Sequence, residues 1–181
     1  RALPDVKTAG VMRSLPLANT IGDWGLDVDG FVETPGNFAK GDWQVVSDGA
    51  MEALGERLVR GRTFTPSDTT DTPMVAMINE TLARTYFGDR DPIGGRIRMG
   101  SSTERPWMTV VGIVRDVRHN GVDDLVKEKF YVPHAQFHVV SSFPTSGMAL
   151  VVKTNGDPLN VAVPIRAILR EMDRNLPLSN V

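Results

Sequence analysis

Cysteine is absent from this chain of 181 residues. That one absence excludes disulfides, thiolate metal centres and cysteine nucleophiles. No stretch reaches the ~18 apolar residues that a membrane-crossing helix needs, and no secretory leader is legible. Neither sign of charge dominates: 20 Lys and Arg stand against 22 Asp and Glu, for a net charge of -2. Without a clustered basic face there is no footprint for nucleic acid or for anionic lipid through a polybasic patch. Aromatic residues make up only 7% of the chain. What is present is a globular mixture, 41% hydrophobic and 23% charged, enough to build a core and too apolar for disorder. The length predicts one domain or two small subdomains. The chain opens at Arg1 and closes at Val181 just after a proline-containing turn, so the expectation is an excised segment of a longer protein.

Periodicity supplies the elements. Val6–Met12 is a short apolar run that reads as a strand. In DWGLDVDGF, Trp24, Leu26 and Val28 alternate with Asp23, Asp27 and Asp29, the signature of a half-buried strand. WQVVSDGAMEALG reads as a strand entering a short helix, with Ser47 as N-cap and Gly55 as the left-handed stop. After the turn-rich loop TFTPSDTTDTP, the run PMVAMI suits a buried strand. NETLARTYFG follows as a helix capped by Asn79, with Leu82/Tyr86 and Ala83/Phe87 one turn apart and Gly88 at its end. RIRM alternates, and WMTVVGIVRDV is its expected antiparallel partner. KFYVPHAQF reads as a strand limited by Pro133, and MALVVKT as another. Asp157 and Pro158 open a final helix whose apolar stripe is Leu159, Ala162, Ile165, Leu169 and Met172. Pro164 is expected to kink it or break a hydrogen bond, and Asn175 to end it. Strands and helices mix without regular βαβ alternation, which predicts an α+β fold.

Several stretches come close to chemical motifs. GRIRMGSS (95–102) has the glycine spacing of a phosphate-binding loop, but Ser101 stands in the lysine slot. The segment between its glycines reads as a strand, where the motif needs a strand before and a helix after. Both glycines read instead as turn residues with positive φ. Asp27, Asp29 and Gly30 resemble the middle of a calcium loop, but Gly25 and Gly36 occupy positions that need ligands, so a solvated strand face is expected. His134 and His138 have a zinc-compatible spacing only if helical, no third ligand is evident, and His119 belongs to a loop. No G-x-S-x-G elbow is present, and Asp123–Asp124 reads as a solvated turn. Trp24, Trp43 and Trp107 read as core or interface packing. These readings leave no catalytic, cofactor-binding or metal-ligating residue.

The ordered blocks WQVVSDGAMEALG, RGRTFTPSD, VAMINETLARTYFGDRDPIGGRIRMG, TVVGIVRDVRHNGVDD, YVPHAQ and VVKTNGDPLNVAVPIRAILREMDRNLPLSNV resemble the MacB-like periplasmic core domain. That domain belongs to FtsX-like permease subunits of ABC transporters of the macrolide-exporter type. INE-x-LAR-x-YF followed by DPIGGRI carries most of the likeness, whereas Asp48 and Met51 stand where the family commonly has a proline and an aromatic. The resemblance implies a location outside the cytoplasmic membrane, between the first and second transmembrane helices of the permease. It implies an α+β fold with a porter-like α/β sandwich subdomain, residues 1–45 plus 131–181, and an inserted β-rich (Sabre-like) subdomain, residues 46–130. It further implies no active site and no cofactor, since a separate cytoplasmic domain hydrolyses ATP. The implied partners are the permease's own membrane helices, a second permease subunit and a periplasmic adaptor, with no nucleic acid and no nucleotide bound directly. The alternative is a stand-alone extracytoplasmic module that binds a ligand or adaptor through one large pocket.

Overall fold

The computed structural model describes residues 3–100, 102–145 and 147–175. In chain order the elements are β1 (Val6–Met12), β2 (Asp23–Val28), β3 (Lys40–Val46), α1 (Ala50–Leu54), β4 (Leu58–Gly61), β5 (Val75–Asn79), α2 (Glu80–Leu82), β6 (Arg96–Met99), β7 (Met108–Val114), β8 (Lys129–Pro133), α3 (His134–Ser141), β9 (Ala149–Thr154) and α4 (Ala162–Met172). A π-helical turn, Ala83–Phe87, extends α2, and a 3-10 turn, Pro158–Val161, leads into α4.

Hydrogen bonding closes six strands into a barrel in the order β2–β6–β7–β5–β8–β3. Closure comes from β3 returning to β2, with Asp23 opposite Asp42 and Gly25 opposite Lys40. The barrel is mixed: β3 runs parallel to β8 and β5 parallel to β7, while the other neighbours are antiparallel. Off the barrel, β4 adds to β7, and a flank of β1 and β9 joins β3 where Met12 meets Val46. The sheet is continuous from barrel to flank. The expected boundaries at 45/46 and 130/131 fall inside β3 and β8, and the barrel takes strands from both sides of them.

Strand parity explains why β3, β5 and β8 read as unbroken buried runs. Successive side chains leave a strand on opposite faces, and here both faces are covered. Trp43, Val45, Ala76, Ile78, Phe130 and Val132 fill the barrel interior. Their neighbours Val46, Val75, Met77 and Tyr131 form a second core outside it, with Met12 of β1 and with Ala50 and Met51 of α1. Each fully buried Ile, Val or Phe contributes roughly 1.5–3 kcal/mol.

Many expected elements appear where the periodicity placed them. Asn79 caps α2 by accepting from Leu82 N at 2.9 Å, and Gly55 stops α1 in the left-handed region. β6 and β7 pair antiparallel, and Ile97 and Met99 point inward. Four expectations change. Ser47 is not the cap of α1, which starts after Gly49. Its Oγ instead accepts from Val11 N at 2.9 Å, tying α1's approach to β1. The strand KFYVPHAQF ends at Pro133, and α3 begins at His134, so the second half of that segment is helical. A proline with extended backbone suits this place, since the first helical N–H groups have no partners within the helix. Pro164, expected inside the helix, falls in the first turn of α4, where its missing N–H costs no bond within that helix. The helix ends at Met172 rather than Asn175, and residues 176–181 lie outside the described residues. Of its stripe, Ala162, Ile165 and Leu169 are half-buried, while Leu159 and Met172 are exposed.

Candidate functional site

At one end of the molecule two loops lie together over the outer face of β3 and β8. Residues 13–22 follow β1, and residues 115–128 follow β7. Leu17 N donates to the carbonyl of His119 at 2.7 Å. Asn120 Oδ1 accepts from Ile21 N at 2.9 Å, and Asn120 Nδ2 donates to the carbonyl of Ile21 at 3.3 Å. Beneath them sits a group of buried polar side chains: Ser14, Asp42, Gln44, His119 and Lys129. Gln44 grips the backbone of Ser14 through both ends of its amide, donating to the carbonyl at 2.7 Å and accepting from the N–H at 3.2 Å. The Arg13 guanidinium lies 3.7 Å over the Trp43 ring, a packing that suits its planar, weakly hydrated cation.

Two carboxylates share this cluster unequally. Asp23 binds Lys40 at 3.0 Å and Lys127 at 3.1 Å, and the hydrogen bond from Lys40 holds it below the usual carboxylate range. Asp42, opposite it across the β2–β3 ladder, is pushed up to about 6, first by burial and then by Asp23. The pair therefore carries one proton below that pH, held on Asp42. Burial pulls His119 down to about 4, with help from the Lys129 charge. Burial also lowers Lys129, against the attraction of Glu56, Asp42 and Asp116. Asp42 Oδ1, His119 Nε2 and an Arg13 terminal nitrogen make no hydrogen bond to the described residues.

Beside this cluster opens a cleft of about 540 Å³, lined by Leu15, Pro16, Ala18, Leu54, Arg57 and Val117 among others. Glu56 also faces it. Its carboxyl accepts from the Tyr131 hydroxyl at 3.2 Å and is raised by burial. Asp116, on the opposite wall, is a fully engaged hub: it accepts from Asn79 Nδ2 at 2.8 Å, Thr81 N at 3.0 Å, Thr81 Oγ1 at 2.8 Å and Arg84 at 3.0 Å.

The near-motifs resolve into structure. Arg96 and Arg98 are taken by Asp29 and Asp27, with Nε–Oδ2 distances of 3.0 and 2.8 Å. That ladder lies on the solvated strand face that was expected, with Asp29 and Arg96 exposed, and occupies the carboxylates of the calcium-like stretch. Gly100 has the positive φ expected of it. Gly95 does not: its role is close approach, since a Cβ there would come within 2.5 Å of the Phe87 ring. Ser101 lies outside the described residues. His134 and His138 do sit one turn apart on α3, both exposed, and among the described residues no group of three or more His, Asp or Glu is placed to hold a metal. Trp43 stacks on Phe137 at 5.2 Å and meets Trp24 edge-on at 6.0 Å, while Trp107 is covered by the Arg98 guanidinium at 4.6 Å. The expectation of no site residues passed over Asp42, Glu56, His119 and Lys129. The one available signal was a charge inside an otherwise apolar strand, Asp42 in KGDWQVV and Lys129 in KFYVP.

The fold has counterparts among solved structures. The periplasmic region of MacB from Actinobacillus actinomycetemcomitans superposes with a TM-score of 0.64 at 15% identity, over 94% of this chain and 69% of that one. The extracellular domain of the noncanonic ABC-type transporter YknZ from Gram-positive bacteria gives 0.60 at 15% identity, over 94% and 78%. No curated protein matches the chain. The family model of the MacB-like periplasmic core domain matches residues 2–168, nearly the whole of the described fold. The chain belongs to the MacB-like periplasmic core domain family, and is thus a periplasmic domain of an ABC transporter permease of that kind.

Proposed function

We propose that this domain works as a non-catalytic lever, passing conformational change between the membrane part of its permease and partners on the outer side. The observation that carries this reading is the pairing of β1 with β9, from Val6 opposite Thr154 to Met12 opposite Ala149. The two strands that bracket the fold enter and leave at one edge, bonded to each other. From there the hydrogen-bonded sheet continues through β3 into the closed barrel. A displacement applied to the flank therefore reaches the barrel through backbone bonds, with no loop in between to absorb it. In this reading the flank answers to the porter-like part and the barrel to the inserted part, and export is coupled to ATP hydrolysis in the cytoplasm.

The test uses the full permease. Removing the domain is expected to leave ATP hydrolysis in place and abolish export. Export that survives the deletion overturns the lever. The cleft favours a second reading, a ligand- or adaptor-binding module, for which a saturable ligand on the isolated domain is the discriminating result.

A further inference from the structure

The cleft holds an electrostatic feature that its surroundings do not explain. Arg115 N donates to the carbonyl of Arg57 at 2.9 Å, one residue beyond the ladder in which Leu58 faces Val114. The two arginines are thus directly opposed across an antiparallel pair, where like charges destabilise. Both are exposed, and both line the cleft. Neither side chain makes a hydrogen bond or ion pair with any described residue. The arginines of β6, of β4 and just after β4 contrast with them: Arg96 and Arg98 bind Asp29 and Asp27, Arg60 binds Asp91, and Arg62 binds Asp68. The acids that share the cleft do not serve either. Asp116 is saturated by Asn79, Thr81 and Arg84. Glu56 turns to Tyr131, and burial biases it toward its neutral form.

The remaining wall is apolar. Leu15, Pro16 and Ala18 come from the loop after β1, Leu54 from the end of α1, and Val117 from the stretch after β7. The volume of about 540 Å³ falls within the ~300–1,000 Å³ of small-molecule sites, which pair apolar walls with a few placed polar groups. Paired guanidiniums suit a planar or tetrahedral oxyanion, because each presents a fork of donors.

We infer that this cleft binds a free amphipathic organic anion, its carboxylate or phosphate head held by Arg57 and Arg115 and its apolar body laid along Leu15, Pro16, Ala18, Leu54 and Val117. The inference goes beyond the lever reading and does not need it: the site is complete within one domain, and its failure leaves the deletion test of export untouched.

Decanoate, kept below its micelle concentration, is the probe. Titrated into the 15N-labelled 181-residue chain, it is expected to shift the amides of Leu15, Ala18, Leu54 and Val117 in a saturable, one-site manner. The double variant Arg57→Gln/Arg115→Gln is expected to weaken binding at least tenfold while leaving the rest of the spectrum in place, since both side chains are at the surface. Ala18→Trp, which fills the cleft, is expected to abolish binding without touching either charge. Equal binding of decanol or decyltrimethylammonium overturns the inference, because the head would then go unread. So does acetate binding as tightly as decanoate, because the tail would go unread. Binding seen only with phosphatidylglycerol vesicles, or shifts centred away from the cleft, overturns it as well.

Discussion

β3 and β8 each carry two interiors. Trp43, Val45, Phe130 and Val132 face the barrel, where apolar side chains pack and Trp43 stacks on Phe137. One residue away along the same strands, Asp42, Gln44, Lys129 and Tyr131 face outward beneath the loops. Both faces are equally hidden from water, yet they are held by different physics. The inner face is limited by volume, because close-packed side chains leave nothing to fill a gap. The outer face is limited by proton and hydrogen-bond supply, because each buried charge needs a partner or must shed its charge. Burial alone therefore says little about what a position tolerates; the parity of the residue decides.

Substitutions can sharpen that contrast or break it. The largest effect is expected at Phe130, fully buried in the barrel: Phe130→Ala should cost about 3–5 kcal/mol in denaturant unfolding. A loss under about 1 kcal/mol would mean that the barrel interior is not volume-limited.

The outer face should answer to pH instead. Asp42 is raised to about 6, so the native state holds an extra proton between about 4 and 6, and its contribution falls as pH rises through that window. His119 is lowered to about 4, so the native state lacks a proton between about 4 and 6.5, and its contribution rises with pH. The two slopes oppose, and the wild-type stability profile is expected to be nearly flat from pH 4 to 6. Asp42→Asn should expose the histidine slope, with stability gained as pH rises, and His119→Gln the reverse. Each unmasked change is on the order of 1–3 kcal/mol. Profiles that stay flat in both variants would separate these groups from the fold's energetics.

The smallest effect belongs to Tyr131→Phe, which keeps the ring and removes one hydrogen bond to Glu56. It should cost about 1 kcal/mol and raise the Glu56 titration further, since the carboxylate loses a donor; carbon-13 NMR of the Glu56 carboxyl checks this as an upward shift. A loss as large as that at Phe130 would erase the distinction between the faces.

Legibility in the sequence follows the same divide. Alternation in DWGLDV and RIRM located β2 and β6, and Asn79 announced the helix behind it, because periodicity and capping are local. The run in β5 could be assigned as buried and that in β8 as a strand, but they could not be joined, since barrel closure depends on which distant strand each edge meets. α3 was hidden because Pro133 ends a strand and admits a helix with equal ease. The site was less legible than the fold. Asp42 and Asn120 lie far apart in sequence, and only the loop closing over β3 brings Asn120 Nδ2 to 3.4 Å from Asp42 Oδ2. Nothing local in the sequence marks Arg57 and Arg115, because only strand pairing sets one against the other.

The antiparallel bond between the first strand and β9 has a consequence for biogenesis. A polypeptide emerging vectorially can assemble much of the barrel early, but Val6 must wait for Thr154 before its outer edge is satisfied. Until then β1 presents bare amides and carbonyls, the kind of open margin on which chains aggregate. The last strand to arrive is thus the one that seals the first, and a nascent chain stalled before residue 149 should be the species that chaperones hold.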